Sequence, residues 1–182
     1  MIDIQTLMEA GKNPLLKTDL HDLGERTQGK VRDIYVRGDK RYLIATDRFS
    51  AFDRVLGAIP CRGQVLTTLS AFWFYRLQDI LPNHMIDLHD PNVMVCKEAD
   101  TLPVEVIVRG YITGVTPTAL WTLYKAGVDK PYGLELPTGL KKNQKLPEPV
   151  ITPTTKGAPG ERDERLSEVE IVERGIVAPE LW

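Results

Sequence analysis

The sequence predicts an α+β fold, in which a mostly antiparallel sheet comes first and a second α+β region follows. Its strands are predicted by alternating runs at positions 31–36 and 92–99 and by the stretch 41–47, which follows a turn signal and pairs with the first run. A 3.6-residue apolar period at 65–77 predicts a helix, and further helix signals begin after Gly114. With 182 residues, 42% of them hydrophobic and 26% charged, the chain is long enough to bury a core.

Composition and charge argue against several classes of protein. A formal net charge of −2 argues against a nucleic-acid surface, because binding phosphates needs clustered Lys and Arg. Cys61 and Cys96 form neither a disulfide framework nor a metal-ligand pattern, which indicates a reducing compartment. The sequence has no recognisable signal peptide and no apolar run of membrane-spanning length. We therefore expect a cytoplasmic protein with neither a membrane nor a nucleic-acid partner.

The first turn signal, GERTQGKV, has the GxxxxGK spacing of a phosphate-binding P-loop. However, Val31 stands where a P-loop has the Ser or Thr that holds magnesium, and a strand follows where a helix is required. The stretch is better explained as a turn that leads into an antiparallel hairpin closed by RGDK. Gly29, Lys30 and Arg32 lie at the open end of this hairpin and can cover a polyphosphate. This arrangement resembles the glycine-rich lid of kinase-like and ATP-grasp-like nucleotide sites.

The sequence TDRFSAFD follows the second strand of the hairpin and contains two carboxylates, one Arg and one Ser. Polar groups directly after a buried strand are typical of binding loops, so Asp47 and Ser50 are candidate site residues. An ordinary turn residue at Asp47 and a helix cap at Ser50 remain alternatives. The helix that follows has an apolar stripe that we expect to lie in the core: Val65, Leu66, Leu69, Phe72, Trp73 and Leu77.

The stretch LPVEVIVRGYITG, residues 102–114, is a strand with charges in an unusual place. Most of its residues are β-branched, which predicts a strand buried on both faces. Glu105 and Arg109 fall on the same face, and burying such charges is costly unless they pair or contact a ligand. A structural ion pair between them is one explanation. Gly110 and Gly114 favour a binding site, because they let the backbone approach a bound group closely.

The second region contains two predicted helices. Thr116 is placed to cap the first helix and Pro117 to occupy its first position. Ser167 and Glu170 form a capping box that predicts the second helix, with Gly175 near its end.

Between the two helices, residues 131–165 shift to Pro, Gly, Lys and Thr without a sustained period, which predicts a long functional loop. In this loop Lys156 could contact a phosphate, and Glu161 or Asp163 could contact its magnesium, because magnesium prefers oxygen ligands. An exposed run of charges that is merely solvated is the alternative.

The motifs GKVRDIY, ATDRFSAFD, LPVEVIVRGYITG and TPTTK, in this order and spacing, closely resemble those of the phosphoribosylaminoimidazole-succinocarboxamide synthase (SAICAR synthase) family. The resemblance covers almost the whole chain. It implies an ATP-lid and substrate lobe at residues 1–110 and an incomplete α+β second lobe at 111–182. It also implies an ATP-dependent ligase of purine biosynthesis. Such an enzyme uses magnesium and joins L-aspartate to the carboxylate of CAIR, a phosphoribosyl aminoimidazole carboxylate, through an acyl phosphate.

The same resemblance implies a nucleotide-binding role for five residues. Gly29, Lys30 and Arg32 would hold the phosphates of ATP, and Glu105 would face its adenine end. Lys156 would return to the nucleotide from the later loop.

The resemblance also implies residues that bind CAIR and act in catalysis. Asp47, Ser50 and Arg109 would hold CAIR. Catalytic roles would fall on Asp47, Arg109 and Lys156.

Three departures from the family pattern qualify these expectations. Val115 stands where the family has a Ser, with Thr113 and Thr116 beside it, and Arg162 with Asp163 stands where the family has His-Asp. The family's second signature, an Asp-x-Lys strand with a following Glu, is absent from the sequence. We therefore expect the main metal ligand beyond residue 182 and little activity from this chain alone. The last four residues, with Pro179 first, also look like the start of a helix, so we expect Leu181 and Trp182 to lack a core contact.

Two other functions are compatible with the motifs. A kinase-like phosphotransferase would share the lid, although the sequence has neither an HRD catalytic loop nor a DFG motif. A nucleotide- or metabolite-binding module without catalysis would keep the pocket and lose the chemistry. Among the three, only the ligase requires specific binding of CAIR.

Overall fold

The computed structural model describes residues 4–51, 54–156 and 163–182. The chain is an α+β protein with mostly antiparallel strands and few helices, which confirms the predicted class. It divides into two compact units, Met1–Asp100 and Thr101–Trp182. The functional division into a lid lobe and a second lobe remains a prediction. Among the described residues, no helix has the length and apolar character needed to cross a membrane.

The first unit contains two helices and seven strands among its described residues. In chain order they are α1 (Ile4–Ala10), β1 (Thr27–Gln28), β2 (Arg32–Arg37), β3 (Lys40–Ala45), β4 (Arg48–Ala51), β5 (Arg54–Ala58), α2 (Arg62–Leu77), β6 (Met85–Asp90) and β7 (Val93–Lys97), with a short 3₁₀ turn at His21–Leu23.

The main sheet of the first unit has the order β1-β2-β3-β7-β6, with every neighbouring pair antiparallel. β2 and β3 form the predicted hairpin, in which Arg37 pairs with Lys40 across the turn. Alternation along β2 turns Asp33 and Tyr35 to a buried face. β4 and β5 form a separate two-stranded sheet.

The helix α2 contacts the sheet through small residues, and the predicted core stripe is wrong. Gly63, Thr67 and Ala71 are the buried residues of α2, at intervals of four along one face. Leu69 and Trp73 are instead 53% and 51% exposed, and the rest of the stripe is exposed as well. Helical spacing identifies an apolar face, but it does not reveal that a second, narrower face of small residues lets the helix approach the sheet more closely.

The second unit contains two strands and two helices among its described residues. They are β8 (Val104–Ile112), α3 (Leu120–Lys125), β9 (Gln144–Thr155) and α4 (Glu168–Glu173), with a 3₁₀ turn at Pro131–Gly133. β8 and β9 pair antiparallel over most of their length. One buried cluster packs α3 against this ribbon, through Ile112, Leu120, Leu123, Tyr132, Leu140 and Leu146.

The strand β8 is not buried on both faces, contrary to the prediction. Val106 and Val108 are 48% and 66% exposed, and Glu105 and Ile107 are exposed as well. Within the described residues β8 pairs only with β9, and side chains on both faces of its central part are exposed, so a continuous run of apolar residues here does not mark a strand inside a covered sheet.

Several elements of the second unit differ from their predicted limits. The stretch 131–165 is not a loop throughout, because β9 occupies its middle part. α3 begins at Leu120, and Thr116 supplies only a backbone carbonyl to a preceding turn. The capping box of Ser167 and Glu170 is confirmed at the start of α4.

The final residues were expected to lack a core contact, and this expectation is wrong for Trp182. Trp182 packs against a buried cluster formed by Leu166, Ile171 and Val177. A hydrogen-bonded turn, in which the amides of Leu181 and Trp182 both donate to the carbonyl of Ala178, holds the end in place.

Candidate functional site

A tight turn at residues 29–32 carries the cations predicted to meet phosphate. The amide of Gly29 donates to the carbonyl oxygen of Arg32 at 2.8 Å, and a Cβ on Gly29 would lie 3.4 Å from that oxygen. A contact of this length is ordinary for a Cβ, so the backbone of the turn does not itself require glycine at position 29. The side chains of Lys30 and Arg32 are exposed. The structure thus brings Gly29, Lys30 and Arg32 together in what we call the 29–32 turn.

Arg48, which is only 6% exposed, holds the 29–32 turn from the inside. Its guanidinium donates to four backbone carbonyls and one carboxylate: Leu16 O (2.5 Å), Lys30 O (3.2 Å), Gly29 O (3.1 Å), Arg32 O (3.0 Å) and Asp33 Oδ1 (3.0 Å). Three of the five acceptors belong to the turn itself.

The carboxylate of Asp33 is fully buried and has partners for both oxygens. Oδ1 accepts from Arg48, and Oδ2 accepts from the amide of Thr18 at 2.7 Å, from its hydroxyl at 3.0 Å and from Arg26 at 3.3 Å. Burial acts to raise the pKa of Asp33, but the hydrogen bonds from Thr18 and Arg48 and the charge of Arg48 outweigh it. The pKa of Asp33 therefore lies below its ordinary value. Asp33 stays ionised and keeps the buried Arg48 paired.

Asp47 occupies a structural position beside the turn. Its Oδ2 accepts from the amide of Leu15 at 2.8 Å, and its Oδ1 accepts from the amide of Gly63 at 3.0 Å. The residue is only 5% exposed, and both carboxylate oxygens already accept hydrogen bonds from backbone amides. This geometry favours a positioning role for Asp47 and gives little support to the direct ligand contact predicted for it. Ser50 is half-buried in β4 and is not a helix cap.

A cavity of about 130 Å³ lies between the sheet and α2 in the same unit. Val31 and Arg32 line it, together with apolar residues such as Leu43 and Phe74. Its volume is well below the ~300 Å³ at which small-molecule pockets usually begin, so the cavity alone does not accommodate a nucleotide.

In the second unit, β8 carries Glu105 and Arg109, and Lys156 directly follows β9. Glu105 is exposed and pairs in register with Thr154, while the amide of Lys156 donates to the carbonyl of Pro103 at 3.1 Å. Glu105 and Lys156 are therefore brought to the same end of the ribbon. Arg109 lies four residues further along β8, which is roughly 13 Å.

Arg109 is half-buried, and its Nε donates to the hydroxyl of Thr152 at 2.9 Å. Thr152 in turn donates to the carbonyl of Ile107 at 3.2 Å. Within the described part of the chain, no ion pair joins Arg109 to Glu105. The structural ion pair considered for these two residues is therefore not formed.

The predicted metal site has limited support in residues 4–51, 54–156 and 163–182. No group of three or more His, Cys, Asp or Glu in this part of the chain could hold a metal ion. Asp163 is exposed, and Glu161 lies outside the described residues. The donor set present thus does not by itself fit a fixed magnesium ion.

Sequence reasoning missed Arg48 and Asp33, the pair that organises the first unit's site. A signal for Asp33 existed, because it shares a face with Tyr35 in an alternating strand and is therefore predicted to be buried. A buried carboxylate requires a partner, and Arg48 directly after the next strand was a candidate.

Comparison with known proteins defines the class to which this fold and site belong. The family model described as SAICAR synthetase matches residues 25–182. The chain therefore belongs to the SAICAR synthetase family.

Individual relatives agree with this family assignment. A phosphoribosylaminoimidazole-succinocarboxamide synthase of Legionella pneumophila is 51% identical over 159 residues, which are 87% of this chain and 50% of the relative. The chloroplastic synthase of Arabidopsis thaliana is 48% identical over 176 residues, 94% of this chain and 42% of the relative. The structure of SAICAR synthase from Saccharomyces cerevisiae complexed with SAICAR has a TM-score of 0.77 at 34% identity, covering 92% of this chain and 60% of that one. The chain thus spans about half the length of the curated relatives it matches.

Proposed function

We propose that this chain carries the ATP-binding and CAIR-binding part of a SAICAR synthase, a carbon–nitrogen ligase of purine (IMP) biosynthesis. The reaction joins L-aspartate to CAIR and yields SAICAR, ADP and phosphate. The observation that carries the proposal is the 29–32 turn, which presents two exposed cations on a backbone fixed from the inside by Arg48. Membership of the SAICAR synthetase family supports it.

The chemistry requires phosphoryl transfer before the amide bond forms, because a carboxylate is a poor electrophile. An oxygen of the CAIR carboxylate attacks the γ-phosphorus of ATP, and ADP leaves. The amine of aspartate then attacks the acyl carbon, phosphate leaves, and the amine loses a proton. Phosphoryl transfer depends mainly on positioning and charge neutralisation, which cationic turns and lysines provide.

In this proposal Gly29, Lys30 and Arg32 of the first unit bind the ATP phosphates. For Lys156 and Glu105 of the second unit, contact with the phosphates and with the adenine end is proposed from the family resemblance alone. Magnesium, when bound, would neutralise charge on the transferring phosphoryl group. Asp163 is a candidate ligand, as is Glu161, which lies outside the described residues.

CAIR binding is assigned to Ser50 in the first unit and to Arg109 in the second, as the family resemblance implies, with a supporting role for Asp47. The fork of Arg109 suits a carboxylate or phosphate, and Thr152 orients it through Nε. Asp47 contributes by fixing the backbone at Leu15 and Gly63. This assignment retains the catalytic roles proposed for Asp47, Arg109 and Lys156, although the role of Asp47 becomes indirect. A cytoplasmic location remains a prediction.

Calorimetric titration of the chain with ATP and with CAIR tests the proposal. We expect both ligands to bind, because the ligase needs both and a kinase-like phosphotransferase has no use for CAIR. If the chain binds ATP but does not bind CAIR, this result would contradict the ligase and favour a nucleotide-binding module or a phosphotransferase. L-Aspartate without the other ligands serves as the control, and we expect no heat of binding when aspartate alone is added.

A further inference from the structure

The buried guanidinium of Arg48 determines which way the peptide groups of the 29–32 turn face. The carbonyls of Gly29 and Lys30 both point to Arg48, at 3.1 and 3.2 Å. In a planar trans peptide the C=O and N–H groups point in opposite directions. The amides of Lys30 and Val31 therefore face away from Arg48, and successive outward N–H groups are a known way of binding anions.

Arg48 is itself held in a single geometry. Nε and both terminal nitrogens donate hydrogen bonds, and Asp33 supplies the compensating charge at 3.0 Å. Asp33 is fixed in turn by the amide and hydroxyl of Thr18. Since Arg48 is only 6% exposed, it cannot itself contact a phosphate that binds on the outer side of the turn.

We propose that Arg48 is a positioning residue for ATP: through the carbonyls of Gly29, Lys30 and Arg32 it holds the 29–32 turn in the conformation that receives the polyphosphate. This inference rests on the proposed function and adds a residue to it. Arg48 provides no direct charge to the ligand. It fixes the amides and aims the side chains of Lys30 and Arg32, so that little ordering cost remains when ATP binds.

A lysine at position 48 cannot reproduce this arrangement. The guanidinium is a planar fork with donors that diverge, and its Nη2 alone reaches Gly29, Arg32 and Asp33. An ammonium is a compact point charge with three donors at one atom. Arg48→Lys therefore keeps a positive charge near Asp33 and removes most of the contacts to the turn.

The test compares Arg48→Lys with the unchanged chain in calorimetric binding of ATP and of adenosine. We expect ATP affinity to fall by about tenfold or more, the effect of losing at least one charge-assisted hydrogen bond, and adenosine affinity to change by less than about twofold. Arg41→Lys is the matched control. Arg41 lies on β3 of the main sheet and donates two hydrogen bonds to Glu98 rather than to the 29–32 turn, so its replacement should leave ATP binding unchanged.

Hydrogen exchange of the backbone amides supplies a second measurement. In the unchanged chain, ATP should slow exchange at the amides of Lys30 and Val31, and Arg48→Lys should abolish this protection. If Arg48→Lys does not fold, Thr18→Val replaces it, because it loosens Asp33 and leaves the Arg48 charge paired. Thr18→Val should weaken ATP by about twofold or more and leave adenosine unaffected.

Each outcome decides the inference. A folded Arg48→Lys, or Thr18→Val in its place, that binds ATP as tightly as the unchanged chain would overturn the positioning role while leaving the proposed function intact. Equal losses for ATP and adenosine would also overturn it, because they would indicate a general structural effect. Absence of ATP binding by the unchanged chain would overturn the proposed function, and the inference with it.

Discussion

At the scale of single residues, the charge state of Asp33 links the structure of the first unit to pH. Its pKa is depressed below the ordinary value of 3.8, so ionised Asp33 stabilises the fold above pH 3.8. This stabilisation is lost as the pH falls from 3.8 through the lower pKa of the folded state, because the protonated carboxyl no longer pairs with Arg48.

We therefore predict that the NMR titration of the Asp33 carboxyl carbon has its midpoint below 3.8. Urea denaturation should show a free energy of unfolding that falls as the pH is lowered from 3.8. A midpoint at or above 3.8 would mean that burial dominates and that the hydrogen bonds from Thr18 and Arg48 do not compensate for it.

Lys30 is predicted to act on the charge of ATP and not on the fold. Lys30→Ala should weaken ATP binding by about tenfold and leave adenosine almost unaffected, since adenosine carries no phosphate. Lys40→Ala is the matched control, because Lys40 is also exposed but lies at the opposite end of the same hairpin. Calorimetry measures the affinities of both variants and of the unchanged chain for ATP and for adenosine. Equal losses for ATP and adenosine in Lys30→Ala would indicate a collapsed turn.

Arg109 is predicted to be a CAIR ligand whose geometry matters as much as its charge. Arg109→Lys should weaken CAIR by about tenfold or more, since an ammonium does not reproduce a bidentate guanidinium contact. Circular dichroism should show an unchanged fold. Arg76→Lys, an exposed position on α2, is the control and should bind CAIR normally. Unchanged CAIR affinity in Arg109→Lys would leave Arg109 only the structural role of bonding Thr152.

At the scale of elements, the approach of α2 to the sheet depends on Gly63. A Cβ at this position would collide with the backbone oxygen of Ala45 and lie 2.5 Å from the side-chain amide nitrogen of Asn92. Asn92 donates to the same oxygen of Ala45 at 2.7 Å, and Gly63 donates to Asp47. The start of α2 is thus fixed by two other segments of the chain, one containing Ala45 and Asp47 and one containing Asn92.

Gly63→Ala should therefore destabilise the chain by about 1–3 kcal/mol, the usual cost of overpacking. This reverses the ordinary preference for Ala over Gly in a helix. Gly57→Ala is the control, since a Cβ there meets nothing within 4 Å, and its effect should stay within about 0.5 kcal/mol. Urea denaturation measures both. A neutral Gly63→Ala would show that α2 can move away from the sheet at little cost.

At the scale of the whole molecule, local sequence patterns predicted which helices and strands form better than they predicted which of their side chains are buried. The β2–β3 hairpin and the capping box of α4 were predictable, because alternation, turn residues and caps act over a few positions. The exposure of Trp73 on α2 and of Val108 on β8 was not, because periodicity defines a face without showing what covers it. β9 was taken for a loop because of Pro147, Pro149 and Pro153, although proline is tolerated at bulges and edge strands.

The same distinction between local patterns and contacts formed only in the fold applies to the residues of the candidate site. Gly29, Lys30 and Arg32 were predictable as a group because they are close in sequence. Arg48 was not selected, because its role depends on five acceptors that come together only in the fold.

The last prediction concerns how much of the reaction the 182 residues perform. The family's second signature, with its metal-facing acid, is absent from the sequence, and no described cluster of acids could hold a metal. The chain spans 50% of its Legionella pneumophila relative. ATP can still meet the cations of the 29–32 turn, but the transferring phosphoryl group lacks a fixed metal clamp. We therefore expect nucleotide binding without substantial SAICAR formation.

The measurement is product formation from ATP, CAIR and L-aspartate with magnesium, for this chain beside a chain extended through the second signature. The extended chain should form SAICAR, and the 182 residues alone should form little or none, because positioning without charge neutralisation leaves most of the phosphoryl-transfer barrier in place. The extended chain with Lys30→Ala serves as the control for a turn-dependent reaction and should lose most of its rate. Comparable turnover by the short and extended chains would mean that the residues from 1 to 182 already provide the metal ligands.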